Sequence, residues 1–335
     1  MAPNKGTWKR ILDYASFMMT ALFAGLGEPK PDMIAASSPQ FFTGIAGWLL
    51  AFMRRRPFVL EVRDLWPASI DAVGASKHKW VLKFFEKIEL FLYRHAQSIV
   101  VVTEAFRANL TARGISKNKI TVVPHGVDLN HYRPEPKDER LAREHGLNHK
   151  FVVGYMGTHG MAHALAAVLD AAEILKNETN VHFLFVGDGA EKDRLVLKAR
   201  ELHLPNVTFL PSCAKEKMPD YWSLASVALT HLKNQEVFKS VIPSKIFEAM
   251  AMGIPVLAAV PEGETTRLIR EASAGLAVAP ENPQEIAQAI RYLRDHPEEV
   301  KAMSQNALAL VRQYDRTAQA EKMLQVFHKT VKSVL

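Results

Sequence analysis

The chain has 335 residues, 48% of them hydrophobic and 23% charged, enough apolar material for two cores and a composition that excludes bulk disorder. Its single cysteine, Cys213, excludes an intramolecular disulfide and favours a reducing compartment; lying after the strand-like run Val207 to Leu210, it reads as a packed small residue without a chemical role. Charge is uneven: residues 1 to 150 hold 22 Lys+Arg against 14 Asp+Glu, net +8, whereas residues 151 to 335 hold 20 against 21, net −1. The basic half calls for an acidic partner. Its cations come singly or as the short run Arg54-Arg55-Arg56, without aromatic interleaving or a recognition motif, so nucleic acid is set aside and an anionic membrane surface fits better.

In chain order, the first apolar stretch is Ile11 to Leu26, preceded by Lys5, Lys9 and Arg10 in the manner of a signal peptide. Asp13 and the lone cysteine argue instead for an amphipathic or interfacial helix. The first half then predicts strand Asp32 to Ala36, helix Phe41 to Met53, strand Phe58 to Val62, helix Lys79 to His95, strand Ser98 to Thr103, helix Ala105 to Arg113 and strand Ile120 to Val123. Phe41 to Met53 is 13 residues long, contains Trp48 and ends on the arginine triplet. It is too short to span a bilayer but suited to lying against headgroups, and a core helix with a basic cap is the competing reading. The prolines, charges and Gly146 of Pro134 to Asn148 break the pattern and predict a linker, giving a first domain over 1–134, a linker over 135–149 and a second domain over 150–335, whose last helix packs back on the first.

The second half restarts the alternation: strand Phe151 to Met156, helix Ala162 to Lys176, strand Val181 to Val186, helix Glu191 to Leu202, strand Val207 to Leu210, helix Lys215 to Ala225 and strand Val227 to Thr230. Then come a helix from Pro243, strand Val256 to Ala259, helix Thr265 to Glu271 and strand Gly275 to Val278, with helices Pro283 to Asp295, Pro297 to Tyr314 and Thr317 to Val334 ending the chain. Strands alternating with helices predict α/β architecture: two Rossmann-like, doubly wound domains facing a cleft.

The most informative segment is Val241 to Val256. Pro243 suits a first helical turn, Gly253 and Pro255 suit a helix end before a buried strand, and Ser244, Lys245 and Glu248 gather on one polar side near the helix start. A helix N-terminus at the carboxyl edge of a parallel sheet attracts anions, so a phosphate there would meet backbone N–H groups and Lys245, while Glu248 could grip a sugar hydroxyl pair. A solvated Lys-Glu pair on a surface helix is the bland alternative. Two glycine turns follow strands, Gly157-Thr158-His159-Gly160 and Gly187-Asp188-Gly189, and both can bring a ligand close to backbone, although such turns are also routine. The chain holds no Asp-x-Asp pair and no Cys/His cluster of metal-ligand spacing, so the expectation is chemistry without a metal or cofactor.

Motifs in this order carry a resemblance: Glu61-Val-Arg-Asp-Leu-Trp-Pro67, Val100-Val-Val-Thr-Glu104, Val123-Pro-His-Gly-Val-Asp128, Gly154-Tyr-Met-Gly-Thr-His-Gly160, Phe185-Val-Gly-Asp-Gly189 and Pro243-Ser-Lys-Ile-Phe-Glu-Ala-Met-Ala-Met-Gly-Ile-Pro255. The chain resembles the retaining family 4 glycosyltransferases of the GT-B fold, in particular bacterial members of exopolysaccharide and O-antigen assembly. The resemblance implies a nucleotide-sugar donor, UDP favoured, in the second domain and a lipid-linked saccharide acceptor against the first, at the cytoplasmic face of the plasma membrane. It implies that Glu248 holds ribose hydroxyls, that Gly157, Thr158, His159, Gly160, Ser244 and Lys245 hold the diphosphate with His163 and Gly187 also in the donor site, and that transfer retains anomeric configuration by front-face departure.

The chain departs from that family pattern in three places. Ser240 stands where a carboxylate is usual, eight residues before Glu248; Thr158 and His163 stand where arginine and lysine are common, leaving Lys245 as the clearest cation. By the resemblance and domain-size expectation, the first domain is also expected to be incomplete, short of an opening strand, glycine loop, helix and strand, roughly seventy residues. Arg63 and Asp64, at the end of strand Phe58 to Val62, are candidates to orient the acceptor hydroxyl or the donor sugar, against the alternative of a structural ion pair. His125 and Asp128 read as turn residues, and Glu104 as a weaker site candidate. Two competing functions stand beside transfer: a truncated relative that holds nucleotide without turnover, and a nucleotide-sugar 2-epimerase, which Ser240 disfavours.

Overall fold

Helical crossovers between short β-branched runs dictate parallel pairing, and every named strand pair in this chain is parallel. The computed structural model describes residues 7–38, 41–65 and 79–333. They form two units: Met1–Pro124 with Gln319–Leu335, and His125–Ala318.

The first unit has a four-stranded sheet of β1 (Ile34–Ser37), β2 (Phe58–Val62), β3 (Ser98–Val101) and β4 (Ile120–Val122), in that spatial order. Its helices are α1 (Thr7–Gly27), α2 (Phe41–Arg54), α3 (Lys79–His95) and α4 (Glu104–Ala112), the last capped by Thr103, whose Oγ1 accepts from Phe106 N–H at 3.2 Å. One side of α2 belongs to the core, with Phe41, Gly44, Ala46, Gly47 and Ala51 buried. Its apolar residues outnumber one face, which leaves Phe52 and Met53 exposed. α1 packs on α2. No helix among the described residues is long and apolar enough to cross a membrane.

The second unit carries β5 (Phe151–Met156), β6 (Val181–Val186), β7 (Val207–Leu210), β8 (Val227–His231), β9 (Val256–Ala259) and β10 (Gly275–Val278), ordered β10-β9-β8-β5-β6-β7. The direction of winding reverses between β5 and β8, as in doubly wound nucleotide-binding sheets. Both faces are covered: β5 sends Val152 and Met156 to one core and Val153 and Tyr155 to the other, the period of two that a doubly buried strand requires.

Three departures from the sequence reading have local causes. The segment 135–149 is no linker: Asp138 caps α5 (Glu139–Glu144) by accepting from Leu141 N–H at 2.9 Å, and Leu141, Ala142 and Leu147 are buried in the second unit's core. The helix expected from Ala162 starts instead as a single 3₁₀ turn, Met161–His163, breaks at left-handed Ala164 and resumes as α6 (Ala166–Ile174). The helix expected over Lys215 to Ala225 is a 3₁₀ turn followed by α8 (Met218–Trp222), because Pro219 belongs in a first helical turn and starts a new helix there. In between lies α7 (Lys192–Glu201), and α9 (Lys245–Ala251), α10 (Glu264–Ala272), α11 (Pro283–Asp295) and α12 (Pro297–Val311) complete the second unit. The last helix, α13 (Arg316–Lys332), enters the first unit from Gln319 onward, where Val326 joins Val59, Val100 and Val123, and Thr330 Oγ1 lies 2.7 Å from Ser98 Oγ.

Candidate functional site

The carboxyl edge of the second sheet gathers the loops that follow β5, β6 and β8. The β5 and β6 turns lie against each other: Gly157 N–H donates to Val186 O at 2.8 Å and His159 N–H to Asp188 O at 2.9 Å. Gly187 has φ +148°, and a Cβ there would fall 1.9 Å from Gly157 O, so only glycine lets these backbones touch. Lys192 fastens the same turn from behind, its Nζ donating to Gly187 O at 2.6 Å and to Leu210 O at 2.9 Å. The expected ligand-binding residue Gly187 thus has a loop-to-loop packing role.

Across the winding reversal, two histidines lock the β5 loop to the end of β8. His231 Nδ1 is 2.7 Å from His163 O, His163 Nδ1 is 3.3 Å from His231 O, and Glu281 N–H donates to His231 Nε2 at 3.0 Å. These contacts define the His231 tautomer as Nδ1–H, because Nε2 must accept. Burial, with Lys245 nearby, pushes the His163 pKa down to about 3, so the ring is neutral where the family pattern has a lysine.

Lys245 opens α9 and sends its Nζ beneath the Gly157 turn. The ammonium lies 3.8 Å from the centroid of the Tyr155 ring and is buried without a hydrogen-bond partner among the described residues. Gly157 leaves room for it: a Cβ at that position would lie 3.1 Å from Nζ. Burial lowers the Lys245 pKa to about 7, against the pull of Glu248 in the other direction. His159 is also sealed, at 0% exposure, with neither ring nitrogen hydrogen-bonded, between Tyr155, Phe185 and Phe209. Its pKa is lowered to about 4 by burial and then by Lys192 and Lys245. Among the described residues the buried Lys245 Nζ and both His159 ring nitrogens have no hydrogen-bond partner, and such groups call for one.

One turn along α9, burial raises the Glu248 pKa, while Trp222, Lys215, Lys245 and Arg316 favour the carboxylate. The Trp222 indole N–H lies close enough to influence Glu248 but makes no hydrogen bond of ordinary geometry. Ser244 is exposed at the helix start and caps nothing with its side chain. Thr158 is exposed, and its carbonyl accepts from Tyr155 Oη at 2.7 Å; Gly160 is half-buried at the entry to the 3₁₀ turn. α9 has only seven residues, so its dipole is a minor attraction beside the charge on Lys245. The second unit therefore brings together Gly157, Thr158, His159, Gly160, His163, Gly187, Ser244, Lys245 and Glu248.

Arg63 and Asp64 lie in the first unit after β2, where Ser38 Oγ accepts from Arg63 N–H at 2.9 Å. Burial raises the Asp64 carboxyl pKa and Arg63 opposes it. Trp66 and Pro67 of that motif lie outside the described residues. The sequence reading missed Tyr155, His231, Lys192 and Trp222. Tyr155 and His231 carry a weak signal, polar-capable residues at the carboxyl ends of buried strands, whereas the other two become visible only in three dimensions.

Residues 137–309 match the family described as Glycosyl transferases group 1, and residues 4–126 match the Glycosyl transferase 4-like domain. The chain is similar to the D-rhamnosyltransferase WbpZ of Pseudomonas aeruginosa, 29% identical over 203 residues that cover 59% of this chain and 50% of that protein. It is also similar to the alpha-galactosylglucosyldiacylglycerol synthase of Streptococcus pneumoniae, 25% identical over 274 residues, 78% of this chain and 67% of that one. The chain thus spans about half the length of the first of these curated relatives. Among solved structures, Anabaena HepE in complex with UDP and glucose superposes with a TM-score of 0.76 at 21% identity, covering 98% of this chain and 84% of that chain. Sucrose-phosphate synthase from Thermosynechococcus elongatus gives 0.78 at 20% identity, covering 99% and 81%. At such identities the likeness concerns the fold, two parallel α/β units of the GT-B type. With a family match over more than half of its length, the chain belongs to the Glycosyl transferases group 1 family.

Proposed function

We propose that this chain is a retaining, metal-independent glycosyltransferase of the family 4 type. It moves a sugar from a nucleoside diphosphate donor, UDP favoured, to a lipid-linked saccharide in cell-surface polysaccharide assembly, at the cytoplasmic face of the membrane. The observation that carries the reading is the Lys245 Nζ, buried without a hydrogen-bond partner among the described residues, beside the Gly157 turn at the winding reversal. A diphosphate supplies the missing counter-charge, and Glu248, one turn further along α9, takes the ribose hydroxyls. A lysine with backbone N–H groups, rather than a carboxylate cluster, is the donor set expected where no divalent cation bridges the phosphates.

In this reading the C1–O bond to the diphosphate breaks with its electron pair going to the leaving oxygen, whose charge Lys245 stabilises. The acceptor hydroxyl attacks C1 from the same face, and its proton passes to the departing diphosphate. Acceptor binding is assigned to the first unit, with Arg63 and Asp64 orienting the hydroxyl. Support for a uridine nucleotide comes from the fold shared with a protein crystallised with UDP and glucose. Support for a lipid acceptor comes from the similarity to a diacylglycerol-glycolipid synthase.

The test is calorimetric titration with UDP, followed by transfer from UDP-sugars to an undecaprenyl-linked saccharide with and without EDTA. Binding and EDTA-resistant transfer, both weakened in Glu248→Ala, are expected. Undiminished binding and turnover in that variant would remove the ribose role, and binding without turnover would leave a nucleotide-holding protein.

A further inference from the structure

The outward face of α3 has no architectural explanation. Phe85, Glu89, Leu92 and Tyr93 turn toward the first unit, Leu92 and Tyr93 being 4% and 2% exposed. On the opposite side Trp80, Phe84 and Phe91 are 72%, 56% and 36% exposed. Their spacing of four and seven residues sets them in one stripe, roughly 16 Å long at 1.5 Å per residue. Exposed Lys83 and Lys87 lie between them, and the exposed acid of this helix, Glu86, is engaged by Arg113 at 3.4 Å.

At its carboxyl end the stripe continues onto α2. The Phe91 ring meets Trp48 at 4.7 Å, and Trp48 stacks on Phe52, itself 71% exposed. There it borders a cavity of about 740 Å³ lined by Trp48, Phe52, Arg55, Arg56 and His95. The Arg56 Nε is buried without a hydrogen-bond partner among the described residues, and Arg55 is held exposed in a left-handed backbone conformation, φ +52°. The cavity adjoins Pro57, Phe58 and Gln97, at the amino end of β2 and just before β3, so it opens on the edge of the first sheet opposite its carboxyl ends.

Aromatic side chains standing out of a helix between lysines, leading to a cationic cavity, match the boundary of a bilayer: rings at headgroup depth, cations on lipid phosphate. We propose that the α3–α2 stripe is a docking surface for an anionic phospholipid bilayer, with the Arg55–Arg56 cavity receiving a headgroup phosphate. The inference deepens the membrane-facing part of the proposed function and is independent of the donor site.

The experiment is co-sedimentation of the full chain with vesicles of phosphatidylglycerol and phosphatidylcholine, against phosphatidylcholine alone, with UDP titration as a control. Salt-reversible binding to the anionic vesicles is expected, weakened at least ~10-fold in Lys83→Glu/Lys87→Glu, since each basic group near an anionic surface contributes about 1 kcal/mol. UDP binding should be unchanged in that variant, which separates this inference from the donor-site reading. Brominated phosphatidylglycerol should quench Trp80, and Trp80→Phe should abolish that share of the quenching while still binding. Equal binding to neutral vesicles, an unaffected charge-reversal variant, or unquenched Trp80 would overturn the proposal. So would displacement by inorganic phosphate beyond that by chloride at matched ionic strength, which would assign the cavity to free phosphate.

Discussion

Each unit of the chain buries a charged side chain, and the two do it in opposite ways. In the first unit Glu89 is 4% exposed and fully engaged: Tyr93 Oη donates to one carboxylate oxygen at 2.7 Å and Arg113 Nη2 to the other at 2.6 Å. In the second unit the Lys245 Nζ is equally hidden, yet it faces an aromatic ring and, among the described residues, no hydrogen-bond acceptor. Hydrogen-bonded burial of charge is architecture, since removing one partner strands the others. Unpartnered burial costs stability in the free protein, and only a ligand that brings the missing partner restores it. The sheets repeat the contrast: among the described residues the first runs in sequence order, whereas the second reverses between β5 and β8, beside Lys245.

The largest effect expected from this contrast is on Glu89. Glu89→Ala leaves the Arg113 guanidinium and Tyr93 hydroxyl without their shared acceptor and should destabilise the first unit by roughly 3–5 kcal/mol. Urea unfolding followed by two probes checks it, with UDP affinity of the second unit retained wherever the protein remains folded. Lys245→Met should behave in the opposite sense. Stability without nucleotide should be unchanged or higher, because a buried ammonium without a partner is replaced by an apolar chain of similar length, while UDP affinity falls roughly 10–100-fold for loss of a charge-assisted contact. A large loss of stability in Lys245→Met with UDP binding intact would place Lys245 with Glu89 as architecture.

How far this contrast is visible in the sequence depends on the range of the interactions. Pro243, Gly253 and Pro255 mark the ends of α9, and helical spacing puts Lys245 near Glu248, so that half of the site is legible. That Tyr155 forms the floor under Lys245 is not, because the two are ninety residues apart (245 − 155) and meet only once β5 is placed in the sheet. The His163–His231 lock is likewise a product of strand order, and it sits at the 3₁₀ turn that stands where local periodicity predicts a helix from Ala162. Composition misleads at 135–149, where prolines and charges conceal three apolar residues that bury together, and it leaves Phe41 to Met53 undecided, a run with one buried side and an exposed end at Phe52 and Met53. In α3 the exposed rings outnumber what the core can hold, a surplus that amphipathic spacing makes readable once the buried side is known.

A smaller effect tests the protonation of Lys245 itself. Its pKa of about 7 in the free protein lies well below the 10.5 of an exposed lysine, because burial penalises the ammonium. A diphosphate selects the protonated form, so UDP affinity should be nearly flat below pH 7 and decline above it, by up to about 10-fold per pH unit once Lys245 must take up a proton on binding. The groups facing it, His159 and His163, are already neutral there, with pKa values lowered to about 4 and about 3, and Glu248 opposes the shift. The stability of the free protein has the reverse dependence. The unfolded chain holds the Lys245 proton between pH 7 and 10.5 while the folded chain releases it, so this residue's penalty is full below pH 7 and fades as pH rises. Affinity in Lys245→Met should lose the decline above pH 7, as calorimetry at a series of pH values would show.

The smallest expected effect belongs to a charge that is paired but not buried. Glu178 accepts from Arg291 Nε at 2.7 Å and from Arg294 Nη1, but all three side chains keep solvent contact, with exposures of 24%, 39% and 19%. Water can replace each of these partners, and Arg294 retains Asp295, whose Oδ1 accepts from its Nε at 2.7 Å. Glu178→Ala should therefore cost under about 1 kcal/mol, diminishing as salt is added, and leave UDP affinity untouched. Pairing alone would predict a loss close to that of Glu89→Ala, so comparing the two variants by urea unfolding at low and high salt separates pairing from burial. A salt-independent loss of several kcal/mol at Glu178 would show that pairing, not burial, makes a charge architectural, and it would remove the reason for reading Lys245 as a ligand site.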